Sequence, residues 1–191
     1  CADLSITALR EARRRLGAKG LYVVADIANL PFAEGAFDGL VSLHTIHHLP
    51  LEEHRRAYLE LYRVLKKGQR GVVVNGWHNP LFTRLTRPIM MLIRRLHGLS
   101  PKQRRQDGND EIPRGTFVAK MTPRWLKHEL KEVGIPFAIY PWRSVGPSIS
   151  RWFIRPEWGG RFWLRLIYWL EERFPRFFGE HGQYPIILIW K

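Results

Sequence analysis

At 191 residues with 45% hydrophobic residues, the chain has the length and composition of one globular domain with a substantial core. A formal net charge of +14 favours anionic partners (nucleic acid, acidic lipid headgroups or a phosphorylated substrate) without choosing among them. The one cysteine, Cys1, excludes an internal disulfide and fits a reducing, cytoplasmic compartment; no signal-peptide pattern is visible, and no apolar run approaches the roughly 18 residues needed to span a bilayer.

Residues 1–3 read as the tail of a strand whose last residue is Asp3. Ser5 has the chemistry of an N-cap, and Leu9, Ala12 and Leu16 follow at helical spacing with Arg10, Arg13, Arg14 and Arg15 mostly on the opposite face. Gly17 and Gly20 end this helix, and Leu21 to Ala25 is a strand ending at Asp26. Two strands that each end in an acid, separated by one helix, form a βαβ unit and imply a parallel sheet. After the Leu30-Pro31-Phe32 turn, Phe37-Asp38 opens another strand, whose Leu40, Val41 and Leu43 are the apolar run expected of a buried parallel strand.

His44, His47 and His48 come next. His44 and His48 have the spacing of a helical metal pair, but no cysteine follows and no Glu sits between them, so no metal site is expected. Glu52 to Lys67 is expected as a helix with Tyr58, Leu61, Tyr62 and Leu65 on its apolar face, ended by Gly68; Val72 to Val74 is a strand. Tyr62 and Lys66 share the Tyr-x-x-x-Lys spacing of short-chain dehydrogenases. The separation from the preceding acid is too short and no catalytic serine precedes them, so Tyr62 reads as core and Lys66 as solvated.

Leu81 to His97 is basic and amphipathic with Pro88 inside, which predicts a kinked helix or two short ones. Ser100 to Gly115, broken by Pro101, Gly108 and Pro113, reads as a mobile loop. From Arg84 to Lys131 there are twelve Lys and Arg against four acids. Thr122-Pro123 starts a helix over 124–133, ended by Gly134, and Phe137 to Tyr140 is a strand. Trp158 to Phe178 is a helix stopped at Pro175, with Phe162, Trp163, Leu166, Ile167, Trp169 and Leu170 wrapping most of it; Tyr184 to Lys191 closes the chain as a buried strand.

Asp3-Leu4-Ser5 with its helix, Asp26-Ile27 with the Leu30-Pro31-Phe32 turn, and the strand running into His44 together resemble the cofactor site of class I S-adenosylmethionine-dependent methyltransferases, well over residues 1–76 and loosely over 122–140 and 184–191. The resemblance implies an α/β, doubly wound, mostly parallel Rossmann-like sheet of seven strands with the last antiparallel, in a single domain over 1–191. It implies a helical lid insertion at 77–121 and a second helical elaboration at 147–182. It assigns Asp3 to the ribose hydroxyls, Leu4 to the adenine face, Asp26 to the adenine amino group, Ile27 to the ring through its backbone N–H, and Leu43 and His44 to the methionine portion. In-line methyl transfer from S-adenosylmethionine to a small-molecule or lipid-like acceptor follows as the expected activity; no catalytic residue does, though His44 could act as a general base.

The family's glycine-rich turn would lie upstream of Cys1, so an N-terminal piece is expected to be missing and the 191 residues alone to bind the cofactor poorly. A non-catalytic membrane-surface or partner-binding module on the same scaffold is the alternative, because Trp- and Arg-rich amphipathic segments suit an anionic membrane surface at the inner face of the membrane. Nucleic acid is less favoured, since no basic-aromatic module such as an RRM signature appears. A nicotinamide-dependent oxidoreductase shares the βαβ unit, but Asp26-Ile27 and the turn after it argue against one.

Overall fold

The structure, a computed structural model, describes residues 1–96, 117–146, 150, 154 and 159–191. The loop expected over 100–115, and the expected helix start at Trp158, lie outside the described residues. The elements in chain order are β1 (Ala2–Asp3), α1 (Ile6–Leu16), β2 (Val23–Val24), β3 (Phe37–Leu43), α2 (Leu51–Val64), β4 (Leu65–Val74), α3 (Leu81–Leu96), α4 (Pro123–Glu132), β5 (Phe137–Arg143), α5 (Gly160–Arg173), α6 (Pro175–His181) and β6 (Tyr184–Trp190). The chain divides into two compact units, one of Cys1–Asn75, Val118–Ala138 and Ile187–Lys191, the other of Gly76–Phe117 and Ile139–Ile186.

The first unit carries a two-stranded parallel sheet, β1-β2, and most of a four-stranded sheet in the order β3-β4-β6-β5. β3 and β4 run parallel, with Val41 opposite Val72 and Leu43 opposite Val74. The end of β6 runs antiparallel to β4: the Gly68 N–H donates to the Lys191 carbonyl (2.6 Å) and the Lys191 N–H to the Gln69 carbonyl (3.1 Å). The core beneath is made by Ala57, Tyr58, Leu61 and Val64 of α2, Leu65, Val73 and Val74 of β4, Leu126 and Leu130 of α4, and Ile187 and Ile189 of β6. Thr122 caps α4 as expected, its hydroxyl accepting the Trp125 N–H at 3.2 Å, with Pro123 in the first turn.

Two local expectations are corrected here. α2 stops at Val64, and Leu65 already has extended dihedrals (φ −72°, ψ 138°), because residues 65–74 are drawn into the ladder with β3 and β6. Lys66 is exposed as expected, and its ammonium meets the exposed Asp38 carboxylate at 2.7 Å. β3 is not a buried strand, since Val41 (69%) and Leu43 (52%) are exposed and β4 is its only paired neighbour among the described residues.

In the second unit, Pro88 sits inside one continuous helix, α3, and Pro175 ends α5 but opens α6 at a helix start, where its missing N–H is not needed. The buried Trp77 indole N–H donates to the Gly179 carbonyl at 2.8 Å. Phe82 of α3 stacks on Phe178 of α6 (centroids 5.3 Å, 12°) and meets Phe177 edge-on at 6.2 Å. The Ser144 N–H donates to the Glu171 carboxylate at 3.0 Å, and its hydroxyl donates to the same oxygen.

Candidate functional site

The register of the small sheet decides where its acids stand. Ala2 lies opposite Val23 and Asp3 opposite Val24, in parallel, and the Ala25 N–H donates to the Asp3 carbonyl at 3.2 Å. Asp3 and Asp26 therefore both stand at the carboxyl ends of adjacent strands, the side on which open α/β sheets hold ligands. Each carboxylate also shapes its own backbone. Asp3 Oδ1 accepts the Ser5 N–H at 2.7 Å, and Ser5 Oγ caps α1 by accepting the Ala8 N–H at 3.2 Å. Asp26 Oδ1 accepts the Ala28 N–H at 2.9 Å and Oδ2 the Asn29 side-chain amide at 3.3 Å. A carboxylate has about four acceptor positions, so both acids retain capacity for further donors. Leu4 is exposed beside Asp3, and Ile27 is half-buried beside Asp26.

The chain beyond Asp26 is fastened to α2. The Arg63 guanidinium donates to the carbonyls of Phe32 (2.7 Å) and Leu30 (3.0 Å) while two of its N–H groups grip Glu60 at 2.7 and 2.8 Å. Glu60 in turn accepts the Leu30 N–H at 2.8 Å, and Arg63 holds its carboxyl below the ordinary carboxylate range. Sequence reading missed this clamp. Its signal was available: Glu60 and Arg63 lie three apart on a helix facing an irregular segment whose backbone needs partners.

Leu43 and His44 end β3, in the other sheet, and no backbone hydrogen bond joins that sheet to β1-β2 among the described residues. His44 has φ +56°, the left-handed region that a non-glycine residue seldom occupies, and its N–H donates to the Val74 carbonyl at 2.8 Å. This twist turns the chain into a short 3₁₀ turn, Ile46–His48. His47 is the packed member: its Nδ1 lies 3.3 Å from Asn75 Oδ1, and its ring contacts those of His44 (5.6 Å) and His48 (4.2 Å). Burial lowers its pKa below the ordinary histidine value, so at neutral pH the ring is uncharged. An uncharged ring facing an amide oxygen carries its proton on Nδ1 and leaves Nε2 as an acceptor. Asn75, fully buried at the end of β4, and Tyr58, whose phenol burial raises well above its ordinary range, were not among the expected site residues. A polar residue directly after the Val72-Val73-Val74 run was the signal for Asn75. Among the described residues no group of three metal-ligating side chains converges.

Against known proteins, residues 1–73 match the profile of the methyltransferase domain family. Chains of the same fold include a protein of Thermotoga maritima described as an S-adenosylmethionine-dependent methyltransferase and possible histamine N-methyltransferase (17% identity, TM-score 0.55, 98% of this chain and 70% of that one). Another is the YcgJ protein of Bacillus subtilis (14% identity, TM-score 0.53, 100% and 81%). The likeness thus joins a family-profile match over the first 73 residues to the fold of these methyltransferases over nearly the whole chain. A 51-residue stretch is also 45% identical to a tRNA (carboxymethyluridine(34)-5-O)-methyltransferase of Xenopus tropicalis, covering 26% of this chain and 8% of that protein; the chain thus spans under a tenth of that curated relative's length.

Each of the two acids keeps acceptor positions beyond its own backbone contacts, and the exposed Leu4 adds an apolar face beside Asp3, the kinds of group an adenosyl ligand would need.

Proposed function

We propose that the protein is a methyltransferase that passes the methyl group of S-adenosylmethionine to a small-molecule or lipid-like acceptor. The observation that carries this reading is the parallel register of β1 and β2, with Asp3 opposite Val24, which leaves Asp3 and Asp26 at the same end of the sheet. In this reading Asp3 accepts from the ribose hydroxyls and Asp26 from the adenine amino group. Leu4 covers the ring, the Ile27 N–H meets its edge, and Leu43 and His44 lie along the methionine portion. The bound cofactor supplies a methyl group that is already activated for displacement, so the protein's work is orientation and exclusion of water.

Where the acceptor must lose a proton, His47 is better suited than His44: burial keeps it uncharged and Asn75 fixes its tautomer, leaving Nε2 to receive the proton. Segments 77–121 and 147–182 are, in this reading, the acceptor-selecting additions. A tRNA acceptor, stated in the name of the frog relative, would draw on the charge of +14 and belongs in the same assay as a second acceptor class.

Calorimetric titration of the full-length protein with S-adenosylhomocysteine tests the cofactor assignment. Asp26→Asn keeps an oxygen for the Ala28 turn but turns a donor toward the adenine amino group, so affinity should fall about tenfold or more. Equal affinity in the variant, or no binding by the natural protein, overturns the reading; the second result would favour the non-catalytic alternative.

A further inference from the structure

At 3.6 residues per turn, α5 has two apolar faces. Leu166, Ile167 and Leu170 are half-buried on one side. On the other, Phe162 (62% exposed), Leu164 (49%), Tyr168 (64%) and Trp169 (58%) flank the exposed Arg161 and Arg165. A water-facing helix side is normally polar, so four large apolar groups there are a face without a partner among the described residues. In the same unit α3 repeats the composition, with Leu85, Met91 and Leu92 exposed among Arg84, Arg87 and Arg95.

The geometry points to an anionic phospholipid surface as the occupant of these two helix faces. Charge selects it first: the exposed ionic groups of the two faces are arginines, with Glu172 the one acid on the outer side of α5, in a chain of net charge +14. That same charge disfavours a second copy of the chain, which would bring arginine against arginine. The aliphatic groups decide between lipid and RNA. Stacking on bases would use Phe162, Tyr168 and Trp169, but gives Leu164, Leu85, Met91 and Leu92 nothing to bury, whereas the headgroup–acyl boundary accepts aromatic rings, aliphatic side chains and arginine together. No described helix is long and apolar enough to cross a membrane, so the helices lie on the surface.

Co-sedimentation of the full-length protein with phosphatidylcholine vesicles, with and without about 30 mol % phosphatidylglycerol, tests this. Binding should require the anionic lipid, and Tyr168→Glu with Trp169→Glu should weaken it about tenfold or more while far-UV circular dichroism and the urea midpoint hold. Arg161→Gln with Arg165→Gln provides a second variant that removes charge and keeps every ring; it should weaken binding to the anionic vesicles alone. The proposal is overturned if the natural protein ignores anionic vesicles, or if both variants bind them as the natural protein does. It is also overturned if the aromatic pair instead abolishes binding of a single-stranded RNA oligonucleotide or dissociates a dimer in analytical ultracentrifugation while vesicle binding persists.

Discussion

A methyl group on Gly179 would stand 2.8 Å from the Tyr140 carbonyl carbon and 2.9 Å from the Ile139 oxygen, both backbone atoms that cannot swing aside. The missing side chain lets α6 lie directly on β5, where the Gly179 carbonyl also receives the Trp77 indole. Gly179→Ala is therefore expected to lower the urea midpoint by the equivalent of about 2 kcal/mol, with helix content largely kept. An unchanged midpoint would mean that α6 does not rest on β5. Nothing in Phe178-Gly179-Glu180 signals this, because a glycine near a helix end reads as a terminator. His44 is another residue whose state was hidden: its residue type suggested chemistry, while its φ of +56° shows that its backbone turns the chain. The placement of Asp3 and Asp26 at the ends of neighbouring parallel strands was legible, because it follows from order and spacing.

The clamp formed by Glu60 and Arg63 links α2 to the chain after Asp26, so the position of that acid depends on an element more than thirty residues away. Arg63→Met retains the apolar stem and removes every N–H, leaving the Leu30 and Phe32 carbonyls without their donors. Arg63 is about a third exposed (34% for the side chain), and water will recover part of the loss, so only a modest drop in the urea midpoint is expected. The sharper readout is hydrogen exchange. Amides over 27–32 should exchange faster in the variant while those of α2 hold, and exchange unchanged over 27–32 would show that the loop is held otherwise. At this scale the order of helices and strands was readable from periodicity, and the N-cap at Thr122 from residue chemistry. The end of α2 was not. Lys66-Lys67-Gly68 has the residues of a helix C-terminus, yet residues 65–74 pair with strands distant in sequence, and that long-range pairing overrides local preference. The exposure of Val41 and Leu43 was likewise unreadable, since an apolar run states what a strand could bury and not whether a neighbour covers it.

For the whole molecule, two buried histidines and the excess of positive charge push in the same direction as pH falls, and they can be separated. His54 is fully buried; its Nε2–H donates to the Leu49 carbonyl at 3.1 Å, and its Nδ1 has no hydrogen-bond partner among the described residues. Burial lowers the pKa of both His47 and His54 from 6.5. Above that value both rings are neutral whether the chain is folded or not, so they add no pH dependence. Below it the unfolded chain takes up two protons that the folded chain refuses, and stability falls by up to about 1.4 kcal/mol per pH unit for each ring until the folded rings themselves titrate. Charge repulsion also grows as the other histidines protonate, but salt screens it, whereas the cost of charging a buried ring persists in salt. Urea unfolding between about pH 8 and pH 5 should thus show a loss that survives about 0.5 M salt, and His54→Leu should remove roughly half of the surviving slope. A slope that vanishes in salt, or is the same in the variant, would place the acid sensitivity in the surface charge rather than in the two rings.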